Sequence, residues 1–244
     1  MKPDFEPGDA PSGYEPHIGE TRQYWRDIIL GVNDGLVSVF LLVVGVVGGG
    51  LDTDEVLLTA LAGALAGAVS MAAGEYLATK SQDEVLEAEL ALERVHIKDY
   101  RPTEVGQLRE MFSDMGIADE DLDDVVGAFA KSDEAMLNAM KALEFGHVES
   151  ERRSPIRAMV ASGGLFLVGS IPSIVPFMIF DSTTVALAWA TVLSLTGLFI
   201  VGVVKARVTK NSWVRSGLEN VAIAGVGGLA AWLIGDAIGA ATTG

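Results

Sequence analysis

Five runs of the chain are almost wholly apolar, approximately Ile28–Gly48, Val56–Ala78, Ile156–Phe180, Thr184–Val204 and Gly217–Ala240. Runs of this length are the mark of a membrane span, because a helix takes about 20 residues to cross a hydrocarbon core. All five are rich in Gly, Ala, Val and Leu, which suits lipid, where helices associate through close contact and not through exclusion of water. The pattern predicts an all-α membrane protein of five transmembrane helices with a cytoplasmic helical insert between helices 2 and 3. Residues 1–22, with Pro3, Pro7, Pro11 and Pro16 among Gly, Asp and Glu, read as a disordered tail. No positively charged stretch followed by a cleavable apolar run is present there, so no signal peptide is expected. The expected organisation is therefore a tail (1–22), helices 1–2 (23–80), an insert (81–155) and helices 3–5 (156–244).

The insert has a pattern of its own. Leu86, Leu90 and Val95 continue a helical spacing past Ser81, so the second span is expected to run on as one long helix. Pro102 is expected to stop it, with Thr103 as the N-cap of a new helix that Gly116 closes. Two further helices are expected over Asp119–Ala130, with acids in the first turn, and Asp133–Phe145, closed by Gly146.

Charge settles which side is which. The chain carries 17 Lys+Arg against 33 Asp+Glu, a net charge of −16, and no cysteine. This excludes a generic nucleic-acid binder, disulfides and thiolate chemistry. The segments after spans one, three and five contain no Lys or Arg. Every basic residue lies before span one, from Lys80 to Arg157 around the junction of spans two and three, or between spans four and five. The positive-inside rule then predicts a cytoplasmic N-terminus and an external C-terminus. Residues 80–155 hold 19 acidic and 9 basic side chains, more than half of all the acids. Such acidity suits cation collection, and it also suits solvation in high salt.

Ionisable groups within spans are costly and by default functional. Asp27 and Asp34 lie seven residues apart in span one; Met71 and Glu75 share a face of span two, with Gly63 and Gly67 on the same stripe. Asp27 also reads as a solvated helix end, Asp34 as a cap-like residue before Gly35, and Met71 as lipid-facing filler. Together, carboxylates and a thioether suit a divalent transition metal better than Mg²⁺ or Ca²⁺. Pro172 and Pro176 are expected to kink or break span three and so to line a cavity.

The insert offers a second candidate metal surface: Glu84, Glu87, Glu93 and His96 on the extension of span two, Glu104 on the next helix, and Met136, Met140 and Glu144 on the last. Solvated acids and a methionine core stripe are the competing reading. A sharper one takes Glu93-Arg94-Val95-His96 and Glu144-Phe145-Gly146-His147 as paired Glu-x-x-His motifs of a ferritin-like di-iron site. Gly146 ending the helix would swing His147 away from it.

Asp27-Ile-Ile-Leu-Gly-Val-Asn-Asp-Gly-Leu-Val-Ser in span one and Gly67-Ala-Val-Ser-Met-Ala-Ala-Gly-Glu-Tyr in span two resemble the signatures of the vacuolar iron transporter family. The five-span layout, the acidic insert and Glu144-Phe-Gly are similar too. The resemblance implies a homodimer in the lipid bilayer that exchanges Fe²⁺ for protons and moves the metal out of the cytosol, with Mn²⁺ carried by some members. It implies that Asp34 and Met71 line the path, that Asp27 stands near its entrance, and that Glu93, Glu104, Met140 and Glu144 are ligand positions of a metal-collecting insert. His96 and Gln107 stand where the family has Glu, and Lys141 where it has a second Met. Fe²⁺ is thus the expected substrate, Mn²⁺ or Zn²⁺ are alternatives at the insert, and no organic cofactor is expected. In a cell without vacuoles the membrane would be the plasma membrane. The rival readings are a membrane-tethered di-iron ferroxidase and a metal store or sensor.

Overall fold

The computed structural model describes residues 22–146 and 153–243. The expected tail, save Arg22, lies outside them, as does His147. The described residues form eight helices: α1 (Arg22–Gly48), α2 (Thr53–Asp99), α3 (Arg101–Asp114), α4 (Asp119–Phe129), α5 (Asp133–Leu143), α6 (Pro155–Ile179), α7 (Thr183–Thr209) and α8 (Trp213–Thr243). Among them there is no strand. Helices α1, α2, α6, α7 and α8 are each long and apolar enough to cross a membrane, and the chain is an integral membrane protein.

Helix ends follow local chemistry. α1 ends in a Schellman motif: Leu51 N–H donates to Val46 O and Gly50 N–H to Val47 O, with Gly50 at φ +88°. Asp52 then caps α2 reciprocally with Glu55, each side chain accepting from the other's backbone N–H. The same motif closes α3, where Gly116 has φ +91° and Ile117 N–H reaches Phe112 O. At the bundle end where α1 meets α2, Thr53 Oγ1 donates to Asp181 O at 2.9 Å and lies 2.8 Å from Thr183 Oγ1. Two turns without basic residues thus share one end.

Two local expectations fail. Thr103 is not a cap: α3 begins at Arg101 with Tyr100 as N-cap, and Tyr100 alone separates it from α2. Pro102 falls in the first turn, where its missing N–H would have had no intrahelical partner, so it can start a helix without a cap behind it. Nor is α6 broken, because Pro172 and Pro176 both lie inside a continuous helix. Pro176 is within a turn of the end, and neighbouring helices stabilise the region, with Ser173 and Ser194 hydroxyls paired at 2.9 Å between α6 and α7.

α6 packs most extensively against α1 and α2, while α8 packs against α7 and α1. Contact is backbone to backbone. A Cβ on Gly35 would strike Phe166 O of α6, and one on Gly169 would strike Val32 O of α1. Gly67 leaves space for the Phe166 ring and Gly63 for Leu42, so the small-residue stripe on α2 admits both α6 and α1.

α2 has 47 residues, about 70 Å of helix against a hydrocarbon core of about 30 Å, so roughly half of it extends beyond the spanning part. Helices α3, α4 and α5 pack on one another and on that extension. Their core is Ile97, Leu108, Phe112, Leu122, Val126, Met136, Ala139 and Met140, and all but the alanine are large side chains, each worth about 1.5–3 kcal/mol on full burial.

Candidate functional site

Two clusters of ionisable groups lie along α2. The first stands where α1 begins, the apolar run of α2 ends and α6 starts. Asp27 on α1 is buried, at 9% exposure, although it reads in sequence as a helix end. The Arg153 guanidinium, two residues before α6, bonds the Asp27 carboxylate and also Glu75 Oε1 of α2 at 3.3 Å. Arg26 approaches the same two carboxylates, at 3.4 and 3.9 Å, from a more exposed position. Among the described residues, two carboxylates thus face two guanidiniums.

Asp34 lies deeper, two turns or about 10 Å along α1 from Asp27. It is half-buried and accepts a hydrogen bond from Ser38 Oγ at 3.1 Å. Met71 is half-buried and packs against the bundle core. Glu75 thus shares the Arg153 guanidinium with Asp27, whereas Asp34 is bonded by Ser38. Sequence reasoning missed Arg153. Its one local signal is the basic pair Arg152-Arg153 before Pro155, which reads as ordinary positive-inside charge.

The second cluster lies outside the spanning part. Glu93 and His96 are one turn apart near the end of α2, and the single-residue break at Tyr100 brings Glu104 of α3 back over them. One ligand atom from each lies within 4.8 Å of the others. His96 Nδ1 is 3.9 Å from Glu93 Oε2 and 3.6 Å from Glu104 Oε1. Both glutamates are buried, and Glu93 Oε1 and Glu104 Oε2 have no hydrogen-bond partner among the described residues. Burial pushes the Glu93 carboxyl above its ordinary range; the nearby charges of Glu104 and Glu144 add to this, and His96 opposes it. Two desolvated carboxylates with orphan oxygens beside an imidazole suit a divalent cation, and the nitrogen favours Fe²⁺ or Zn²⁺ over Mg²⁺ or Ca²⁺.

The other insert candidates are placed differently. Glu144 is the exposed C-cap of α5, near enough to act on Glu93 electrostatically. Met140 is fully buried with Met136 in the insert core. Glu84 is exposed and paired with Lys80 at 3.6 Å, and Glu87 is exposed one turn further on. Neither belongs to the compact triad, from which they are separated by about two turns of helix. The first Glu-x-x-His motif therefore enters the cluster. The second ends at Gly146, φ +60°, beyond the end of α5, and its His147 lies outside the described residues.

A family model described as the VIT family matches residues 25–236. The chain is 32% identical to vacuolar iron transporter 2 of Oryza sativa subsp. japonica over 87% of both chains. It is 29% identical to vacuolar iron transporter 1 of Arabidopsis thaliana, over 87% of this chain and 85% of that one. It is also 25% identical to protein CCC1 of Saccharomyces cerevisiae, over 87% and 68% respectively. The match takes in α1 with Asp27 and Asp34, the whole of α2, the insert and the three later spans: the chain belongs to the VIT family.

Proposed function

We propose that the protein moves Fe²⁺ out of the cytosol in exchange for protons, with Mn²⁺ as a second substrate. The observation that carries this reading is a line of carboxylates leading into the bundle, from Asp27 and Glu75 at one end to Asp34 deeper along α1. A carboxylate at that depth is costly unless it has a cation or a proton to hold. The names of the relatives, iron transporters of plants, support iron as the metal.

The basic residues put the N-terminus, the insert and the Asp27 end in the cytoplasm. The Glu93, His96 and Glu104 cluster collects the metal there, with Glu144 adding negative charge. Asp27 and Glu75 admit it, and Asp34 with Met71 binds it within the membrane. Exchange follows because a desolvated carboxylate holds either a proton or the metal, and each displaces the other. A second copy of the chain covers the half-exposed Asp34 in a homodimer.

The test is Fe²⁺ uptake into proteoliposomes driven by a pH gradient. Uptake is expected for the wild type and lost in Asp34→Ala. Undiminished flux in that variant would sink the assignment of the path, and no flux in the folded wild type would sink the transport reading.

A further inference from the structure

We propose that Arg153 is a tethered counter-ion that occupies the entrance carboxylates Asp27 and Glu75, so that an incoming metal ion must displace its guanidinium. The inference rests on the transport reading above and concerns the threshold of that same path. An entrance lined by two carboxylates would be expected to present two negative charges to cations. Here, among the described residues, Arg153 and Arg26 stand against both. Of the two arginines, Arg153 is the plug. Its side chain is 16% exposed against 63% for Arg26, and it reaches both carboxylates more closely.

The position of Arg153 in the chain makes displacement feasible. It is held two residues before α6, in the connection from the insert, and its partners lie 126 and 78 residues away on α1 and α2. The forked guanidinium matches two carboxylates with several donors, a geometry that a single hydrated monovalent cation does not reproduce. A divalent ion bridging the same two carboxylates brings twice the charge of the guanidinium it displaces, whereas Na⁺ or K⁺ brings only as much. Arg153 thereby excludes Na⁺ and K⁺ and raises the metal concentration needed for half-maximal flux.

The experiment compares Fe²⁺ flux in proteoliposomes for wild type, Arg153→Gln and Arg153→Lys, each at low and high KCl. Arg153→Gln is expected to lower KM about tenfold, the scale of one lost charge-assisted contact, and to make flux sensitive to KCl. Arg153→Lys, which keeps the charge without the fork, is expected to fall between. Metal occupancy of the insert should not change in either. A KM in Arg153→Gln that is unchanged or higher, with KCl still without effect, overturns the proposal while leaving transport intact. Should Arg153→Gln not fold, the lysine variant decides, and a wild-type KM and salt response there overturns it. A folded wild type without flux overturns both readings.

Discussion

The two carboxylate clusters on α2 are opposites. At the mouth of the bundle Asp27 and Glu75 are matched by guanidiniums, one of them nearly buried. In the insert Glu93 and Glu104 are more deeply buried, share a half-exposed histidine and, among the described residues, leave two oxygens without hydrogen-bond partners. Burial of like charge without compensation costs folding energy, a cost that the mouth cluster offsets with its own guanidiniums and the insert cluster does not. The surrounding packing differs in the same sense. The insert closes around large apolar side chains and depends on water exclusion, whereas the bundle closes through glycines that let backbones touch.

The largest expected effect strikes the insert. Replacing both Glu93 and Glu104 by Ala should weaken metal binding there by at least about 100-fold, roughly 2.7 kcal/mol, as read by calorimetry on the full chain. Equal affinity in the double variant would dissolve the contrast. Next, Asp27→Asn removes a charge that Arg153 already answers. It should destabilise the metal-free protein by about 1–3 kcal/mol in thermal unfolding, because a nearly buried guanidinium loses its acceptor.

Glu93→Gln should do the reverse and stabilise the metal-free insert by about 1 kcal/mol, since it removes a desolvated charge beside two others. The pH dependence shares this origin. The folded-state pKa of Glu93 lies above its ordinary 4.5, so folding favours the protonated form. That contribution is complete below the unfolded value and is lost as pH rises through the folded one. Metal binding needs the carboxylate, so affinity should instead rise with pH over the same range. In Glu93→Gln both trends should flatten. The smallest effect serves as a control: Asp52→Ala removes a helix cap remote from both clusters and should cost about 1 kcal/mol without altering metal binding.

What sequence reveals here tracks the range of the cause. Four of the five spanning helices end close to where their apolar runs end, because membrane thickness imposes a length that any window can detect. The long α2 was readable from Leu86, Leu90 and Val95, and Glu93 with His96 from a one-turn spacing. Thr103 misled because Pro102 hides a start as readily as a stop. The burial of Met140 was legible only as one of two alternatives. Arg153 was invisible in its role, since the contact that defines it spans 126 residues.

α2 runs unbroken through both clusters, and that continuity imposes a phase. Glu75 and Glu93 are 18 residues apart, which at about 3.6 residues per turn is five whole turns, so the two carboxylates project in the same azimuth about 27 Å apart. The helix thus acts as a ruler that sets the Glu93 cluster in line with Glu75. Adding one alanine between Ala88 and Leu92 would rotate the insert by about 100° while lengthening the rod by only about 1.5 Å. Angular register can therefore be separated from distance as a determinant of delivery.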